Sequence, residues 1–155
     1  MFKKILVCLD GSDLAEQILP YAKEQAKSFK SAVVLLHVTP EPVIVPPGIP
    51  GEPGYPIQTR SMVKEMQQEM IHAKEYLDSL AHSFKELGIR AKSVVLEGSA
   101  GESIVNYARE NKINLIAVAT HGRSGVGRAI LGSVADFVLR ESGLPILTIR
   151  PQDNK

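Results

Sequence analysis

Four glycines, Gly122, Gly125, Gly127 and Gly132, fall within eleven residues just after a short apolar run, Ile113 to Val118. The run reads as a buried strand. A helical pattern follows, with Val134, Ala135, Val138 and Leu139 on one side. A strand, a glycine-rich turn and a helix start together form a geometry that holds phosphate. Glycine lets the backbone approach a ligand closely and take positive φ. The free N–H groups of a helix start favour an anion. Ser133 adds a hydroxyl that can cap the helix, bind phosphate, or both. Arg123 and Arg128 can neutralise phosphate charge or stay solvated.

Two common glycine templates do not fit. Gly122 to Ala129 reads GRSGVGRA. It has the glycine spacing of a P-loop but lacks the lysine and the hydroxyl that would hold magnesium. The dinucleotide pattern GxGxxG begins at Gly125-Val126-Gly127 and meets Ile130 where its third glycine belongs. A third pattern, G-x2-G-x9-G-[ST], fits better. Gly122, nine residues, then Gly132-Ser133 match it, and Ala119 stands at its first glycine.

That pattern is the nucleotide motif of the universal stress protein family, which the chain resembles over essentially its whole length. The start, KKILVCLDGSDLAEQILPYA, is similar to the family's first strand, terminal aspartate and first helix. The end, GSVADFVLRESGLPILTIRP, is similar to its last helix and strand. The resemblance implies a regulatory dimer that binds ATP or another adenine nucleotide, with Mg2+ held through the phosphates. Its binding residues would be Leu9, Asp10, Val38, Val118, Ala119, Gly122, Arg123, Ser124, Gly125, Gly132, Ser133 and Val134. Val38 would offer its backbone to the adenine edge, Asp10 would contact the nucleoside, and Ser133 and Val134 would face the phosphates.

The elements that must position these residues are legible in order. Lys4 to Leu9 is a continuous apolar run, as in a strand covered on both faces. Asp10-Gly11-Ser12 ends it, so Asp10 serves equally as a turn residue. Ser12 or Asp13 caps the next helix, with Glu16 in capping-box spacing to Asp13. Leu14, Ala15, Ile18, Leu19, Ala22, Ala26 and Phe29 recur at helical spacing, with Pro20 expected to kink the helix. Ser31 to Val38 is a second strand, and His37 before its end is expected to pack in the core. Residues 39–58 hold seven prolines and three glycines, which predicts an exposed loop.

Ser61 to Leu87 is the longest helix, stepping through Val63, Met66, Met70, Ala73, Leu77, Leu80, Phe84 and Leu87, a stripe expected to be core. Gly88 stops it. Ala91 to Leu96 is a third strand, and Ser99 or Ala100 opens a helix carrying Ile104, Val105 and Ala108. Pro145 to Ile149 is the last strand. Strands alternating with helices imply an α/β, doubly wound, mainly parallel sheet with helices on both faces. The family resemblance implies five strands in the order 3-2-1-4-5. The switch point then lies between strands 1 and 4, where Asp10 and the glycine stretch end.

The bulk properties set limits. A chain of 155 residues fits one domain, 1–155, with a sizeable core. Net charge +1 provides no basic field for nucleic acid or an anionic membrane. The apolar run at Ile5 to Leu9 is too short for a signal peptide, and no stretch reaches the roughly 18 apolar residues of a membrane span. One cysteine, Cys8, excludes an internal disulfide and fits the cytoplasm. His72 and His82, ten apart on one helix, cannot share an ion, and His121 has no carboxylate or nucleophile spaced to orient it. No base, P-loop lysine or dedicated magnesium ligand is apparent, so any ATP hydrolysis should be slow. Two alternatives stand beside the regulatory reading: a ligand-free scaffold dimer, and an adenylating or nucleotide-hydrolysing enzyme of a related class. The last strand would be an apolar edge in a monomer, and the resemblance implies that it pairs between subunits.

Overall fold

The computed structural model describes residues 1–41, 60–120 and 131–152. Five apolar runs form the strands: β1 (Lys4–Cys8), β2 (Ala32–Thr39), β3 (Ala91–Glu97), β4 (Leu115–Ala119) and β5 (Ile146–Ile149). They pair in the order β3-β2-β1-β4-β5, and every pairing is parallel. The helices are α1 (Asp13–Glu16), α2 (Leu19–Phe29), α3 (Arg60–Lys85), α4 (Ala100–Glu110) and α5 (Ser133–Glu141). β1 and β4 are adjacent in the sheet but far apart in the chain. Their diverging crossovers open a crevice at their carboxyl ends.

Strand alternation divides the core in two. Ile5, Val7 and Leu9 pack with Ala15, Ile18, Ala22, Leu77 and Phe84, beneath α1, α2 and α3. Leu6 and Cys8 face the other way, onto Ile104, Val105, Ala135 and Val138 of α4 and α5. With helices on both faces, the central strands are apolar at nearly every position, as their sequences require.

Four local expectations are corrected. Pro20 does not kink one helix. The chain breaks into α1 and α2 around Gln17 and Ile18, and Pro20 sits in the first turn of α2, where its missing N–H costs nothing. Ser12 is the cap of α1, its Oγ accepting from Ala15 N–H at 3.1 Å, and Glu16 forms no capping box. Glu16 instead accepts from Tyr76 Oη of α3 at 2.9 Å. Burial, reinforced by Glu16, pushes that phenol well above its ordinary range. The methionine stripe of α3 is core only in its second half. Ala73, Leu77, Ala81 and Phe84 are buried, whereas Val63 and Leu87 are exposed and Met66 and Met70 half-buried. The first turns of α3 therefore run beyond the packed face of the sheet. Leu139, placed on the apolar side of α5, is 54% exposed; Ala135 and Val138 provide the buried contacts.

Candidate functional site

The crevice is a cleft of about 480 Å3 at the carboxyl ends of β2, β1 and β4. Its floor is Cys8 and Leu9 from β1, Leu36 to Val38 from β2, and Val118 to Thr120 from β4. One wall is the start of α5, Gly132 to Ala135, with Leu131 before it. Ala100 and Ile104 of α4 form another wall, and Glu69 of α3 stands with Pro40 at the β2 end.

Each of these groups arrives for a local reason. Asp10 follows β1, where Gly11 takes φ +79, a conformation that side-chain-bearing residues rarely adopt. Asp10 Oδ1 accepts from Ser12 N–H at 3.0 Å and from Ser12 Oγ at 2.6 Å. Asp10 is thus both the turn residue and a cleft residue. The two roles posed for it from sequence are compatible.

At β4 the sheet holds on past the strand end. Thr120 N–H donates to Ile149 C=O at 2.9 Å, and Gly132 N–H donates to Thr120 C=O at 2.7 Å. That second bond sets the α5 start beside the end of β4. Gly132 is the cap of α5 through its backbone, and Ser133, the first helical residue, makes no side-chain cap bond. The capping role considered for the Ser133 hydroxyl is therefore absent. The first intrahelical bond runs from Asp136 N–H to Gly132 C=O at 2.9 Å. The N–H groups of Ser133, Val134 and Ala135 have no acceptor within the helix and lie on the cleft wall. Nine residues of helix align behind them.

Val38 contributes backbone. The ladder of β2 alternates: Ala32 N–H bonds to Lys3 C=O on β1's side, and Val33 N–H bonds to Arg90 C=O on β3's side. Even-numbered residues therefore face β1. Leu36 C=O accepts the last rung, from Leu9 N–H at 2.9 Å. Val38 turns its N–H and C=O the same way, two residues past that rung, into the cleft. His37, between them, is buried and its ring lies against Gly11, its Cε1 3.9 Å from where a β-carbon there would stand.

Of the twelve residues selected from sequence, eight meet in this cleft: Leu9, Asp10, Val38, Val118, Ala119, Gly132, Ser133 and Val134. The other four, Gly122, Arg123, Ser124 and Gly125, lie outside the described residues, as do Arg128 and His121. Ala119 is buried and lines the floor. Sequence reasoning did not anticipate Glu69, Pro40, Ala100, Ile104 or Thr120. Ala100 opens a helix at a strand end and so had a topological signal. Glu69 had none, since it is one of many charges along α3. Cys8 also lines the floor, and burial pushes its thiol up to about 12. It is not a nucleophile near neutral pH. Among the described residues, no group of three or more His, Cys, Asp or Glu is placed to hold a metal ion.

A sequence profile of the universal stress protein family matches residues 1–150. The chain belongs to the universal stress protein family. A family relative, the universal stress protein YxiE of Bacillus subtilis, is 30% identical over 151 residues, covering 97% of this chain and 100% of that protein. Among solved structures, the MJ0577 protein of Methanocaldococcus jannaschii superposes with a TM-score of 0.80 at 26% identity, covering 99% of both chains. Two more distant structures share the fold. An Arabidopsis thaliana family protein has AMP bound (TM-score 0.64, 15% identity, 98% and 94% covered). A universal stress protein in complex with cAMP has TM-score 0.60 at 19% identity, with 97% and 98% covered. The family fold places helices on both faces of a parallel five-stranded sheet in the order found here.

Proposed function

We propose that this chain is a single-domain adenine-nucleotide-binding regulator of stress response. The ligand is ATP or another adenine nucleotide, with Mg2+ held through its phosphates. One observation carries the reading: the same cleft offers two sets of backbone groups that have no hydrogen-bond partner among the described residues. Val38 N–H and C=O lie at the β2 end, and Ser133, Val134 and Ala135 N–H lie at the α5 end. A purine edge fits the first set, with Leu36 and Ile104 against its faces. Phosphate fits the second. Asp10, between them at β1, faces the sugar. Members of this fold with AMP and with cAMP bound support the ligand class.

The experiment is to denature freshly purified protein and quantify the nucleotide released, then to titrate stripped protein with Mg-ATP. Near-stoichiometric binding, lost in Gly122→Val, supports the reading. A protein that is empty and binds no added nucleotide overturns it and leaves a ligand-free scaffold, with the Ala119 methyl as the physical reason. Turnover well above a trace background would instead point to an enzyme.

The regulatory reading includes a cytoplasmic homodimer formed through β5. Pro145 C=O accepts from Ile116 N–H of β4 and Ile149 C=O from Thr120 N–H just beyond it, so Ile146 and Thr148 turn their N–H and C=O to the open edge. Thr148 is exposed, whereas Ile149 packs against the core. Thr148→Pro removes an outward N–H without touching the β4 ladder. Sedimentation should show it as a monomer, and an unchanged dimer excludes this edge.

A further inference from the structure

Among the described residues, Glu69 is the one charged side chain of the cleft with no hydrogen-bond or ion-pair partner. Asp10, the other carboxylate there, is held by Ser12. Glu69 makes no hydrogen bond or ion pair with any described residue, although it stands at the wall of a largely apolar slot. Its position follows from the fold. α3 packs over β3 and β2, not over β4, so Glu69 reaches the cleft beside Pro40, just past the end of β2. That is the end farthest from α5. Leu36 and Val38 of β2, with Ile104 of α4 across the sheet, give the cleft apolar surface here, which suits a flat heterocycle.

A carboxylate is an acceptor only. Set at the α5 end it would repel phosphate, but set here it meets the edge of the base. A 6-aminopurine carries two N6–H donors, and the backbone of Val38 uses at most one. A 6-oxopurine presents an acceptor at the same position, which a carboxylate repels. We propose that Glu69 is a specificity-determining residue of this cleft: it accepts from the exocyclic amine of the base and selects 6-aminopurine over 6-oxopurine nucleotides. This rests on the nucleotide reading above. It adds a side-chain discriminator to a site whose other hydrogen bonds to the base come from backbone.

The test is a binding cycle by calorimetry, ATP against ITP, on wild type, Glu69→Ala and Glu69→Gln. A charge-assisted hydrogen bond at a partly wet rim corresponds to about tenfold in affinity. Wild type should prefer ATP, and Glu69→Ala should lower the ATP:ITP ratio by about tenfold. Glu69→Gln should lower it too, because its amide donates to O6, while ATP affinity falls little. A ratio unchanged within about twofold in both variants overturns the proposal. So does an equal change for both ligands, which would mark Glu69 as a general electrostatic influence. If wild type binds neither nucleotide, the nucleotide reading itself fails, a result separate from either outcome. Glu69 is exposed and has no partner among the described residues, so both variants should fold, and matching melting curves establish that.

Discussion

Gln17 and Gln152 hold each other twice. Gln17 Nε2 donates to Gln152 C=O at 2.8 Å, and Gln152 N–H donates to Gln17 Oε1 at 2.9 Å. The side-chain amide thus pairs with backbone as a neighbouring strand would, 135 residues away in sequence. It ties the segment after β5 to the junction of α1 and α2. The other end of α1 is tied to the cleft through Ser12 and Asp10.

Gln17→Ala should therefore loosen the end of β5 without disturbing the core. Loss of this exposed pair should cost about 1 kcal/mol and lower Tm by about 2–4 °C. Backbone amides after Ile149 should exchange faster. An unchanged Tm together with unchanged exchange would show that the pair contributes nothing in solution.

The two helix starts in the cleft should respond differently to loss of a hydroxyl. Ser12→Ala removes a cap and one of the two donors to Asp10, and should cost about 1 kcal/mol. Ser133→Ala removes a hydroxyl that caps nothing, so its stability should stay within about 0.5 kcal/mol of wild type. Chemical denaturation distinguishes the pair. Equal losses in both would contradict the backbone cap at Gly132.

Gly101 lies where α4 meets α5. A β-carbon there would stand 2.6 Å from Phe137 Cδ1 and 2.9 Å from Cγ. Gly101→Ala should destabilise by about 1 kcal/mol, the crowding outweighing the helix propensity of alanine. Adding Phe137→Ala should recover most of that difference in a double-mutant cycle. A stabilised Gly101→Ala would show that the ring, 37% exposed, swings away freely.

Burial raises the Cys8 thiol from 9.0 to about 12. The folded state then holds its proton where the unfolded state has lost it. The stabilisation is complete below pH 9 and is lost as pH rises towards 12. At pH 10 the loss should be about 1.4 kcal/mol. Cys8→Ala should flatten this alkaline fall, read as the difference between the two stability profiles. Tyr76, also raised, contributes a fall at higher pH that both proteins share. Identical slopes would mean that the thiol ionises in the folded protein.

The strands and the site divide differently between sequence and structure. β1, β2 and β4 are runs apolar at every position but Lys4, His37 and Thr39, so their existence and burial are local properties of composition. Asp10 and Gly132–Ser133 were legible because a strand end and a helix start are punctuated by turn chemistry. The half-exposed stripe of α3 was not legible. Periodicity shows which side of a helix is apolar, but not how far the sheet beneath it extends.

By itself, the sequence determined the alternation of strands and helices, the family, and the strand-end positions where a ligand would sit. Only the tertiary structure decided how those positions are presented to the cleft. The parity of the β2 ladder turns Val38 backbone to the cleft, which no side-chain type encodes. The bond from Gly132 to Thr120 aims the start of α5 at the same space. The packing of α3 on β2 brings Glu69 to the cleft from some thirty residues after Val38. Each is a relation between distant segments, decided by hydrogen-bond register and helix packing, and neither quantity is carried by a local run of residues.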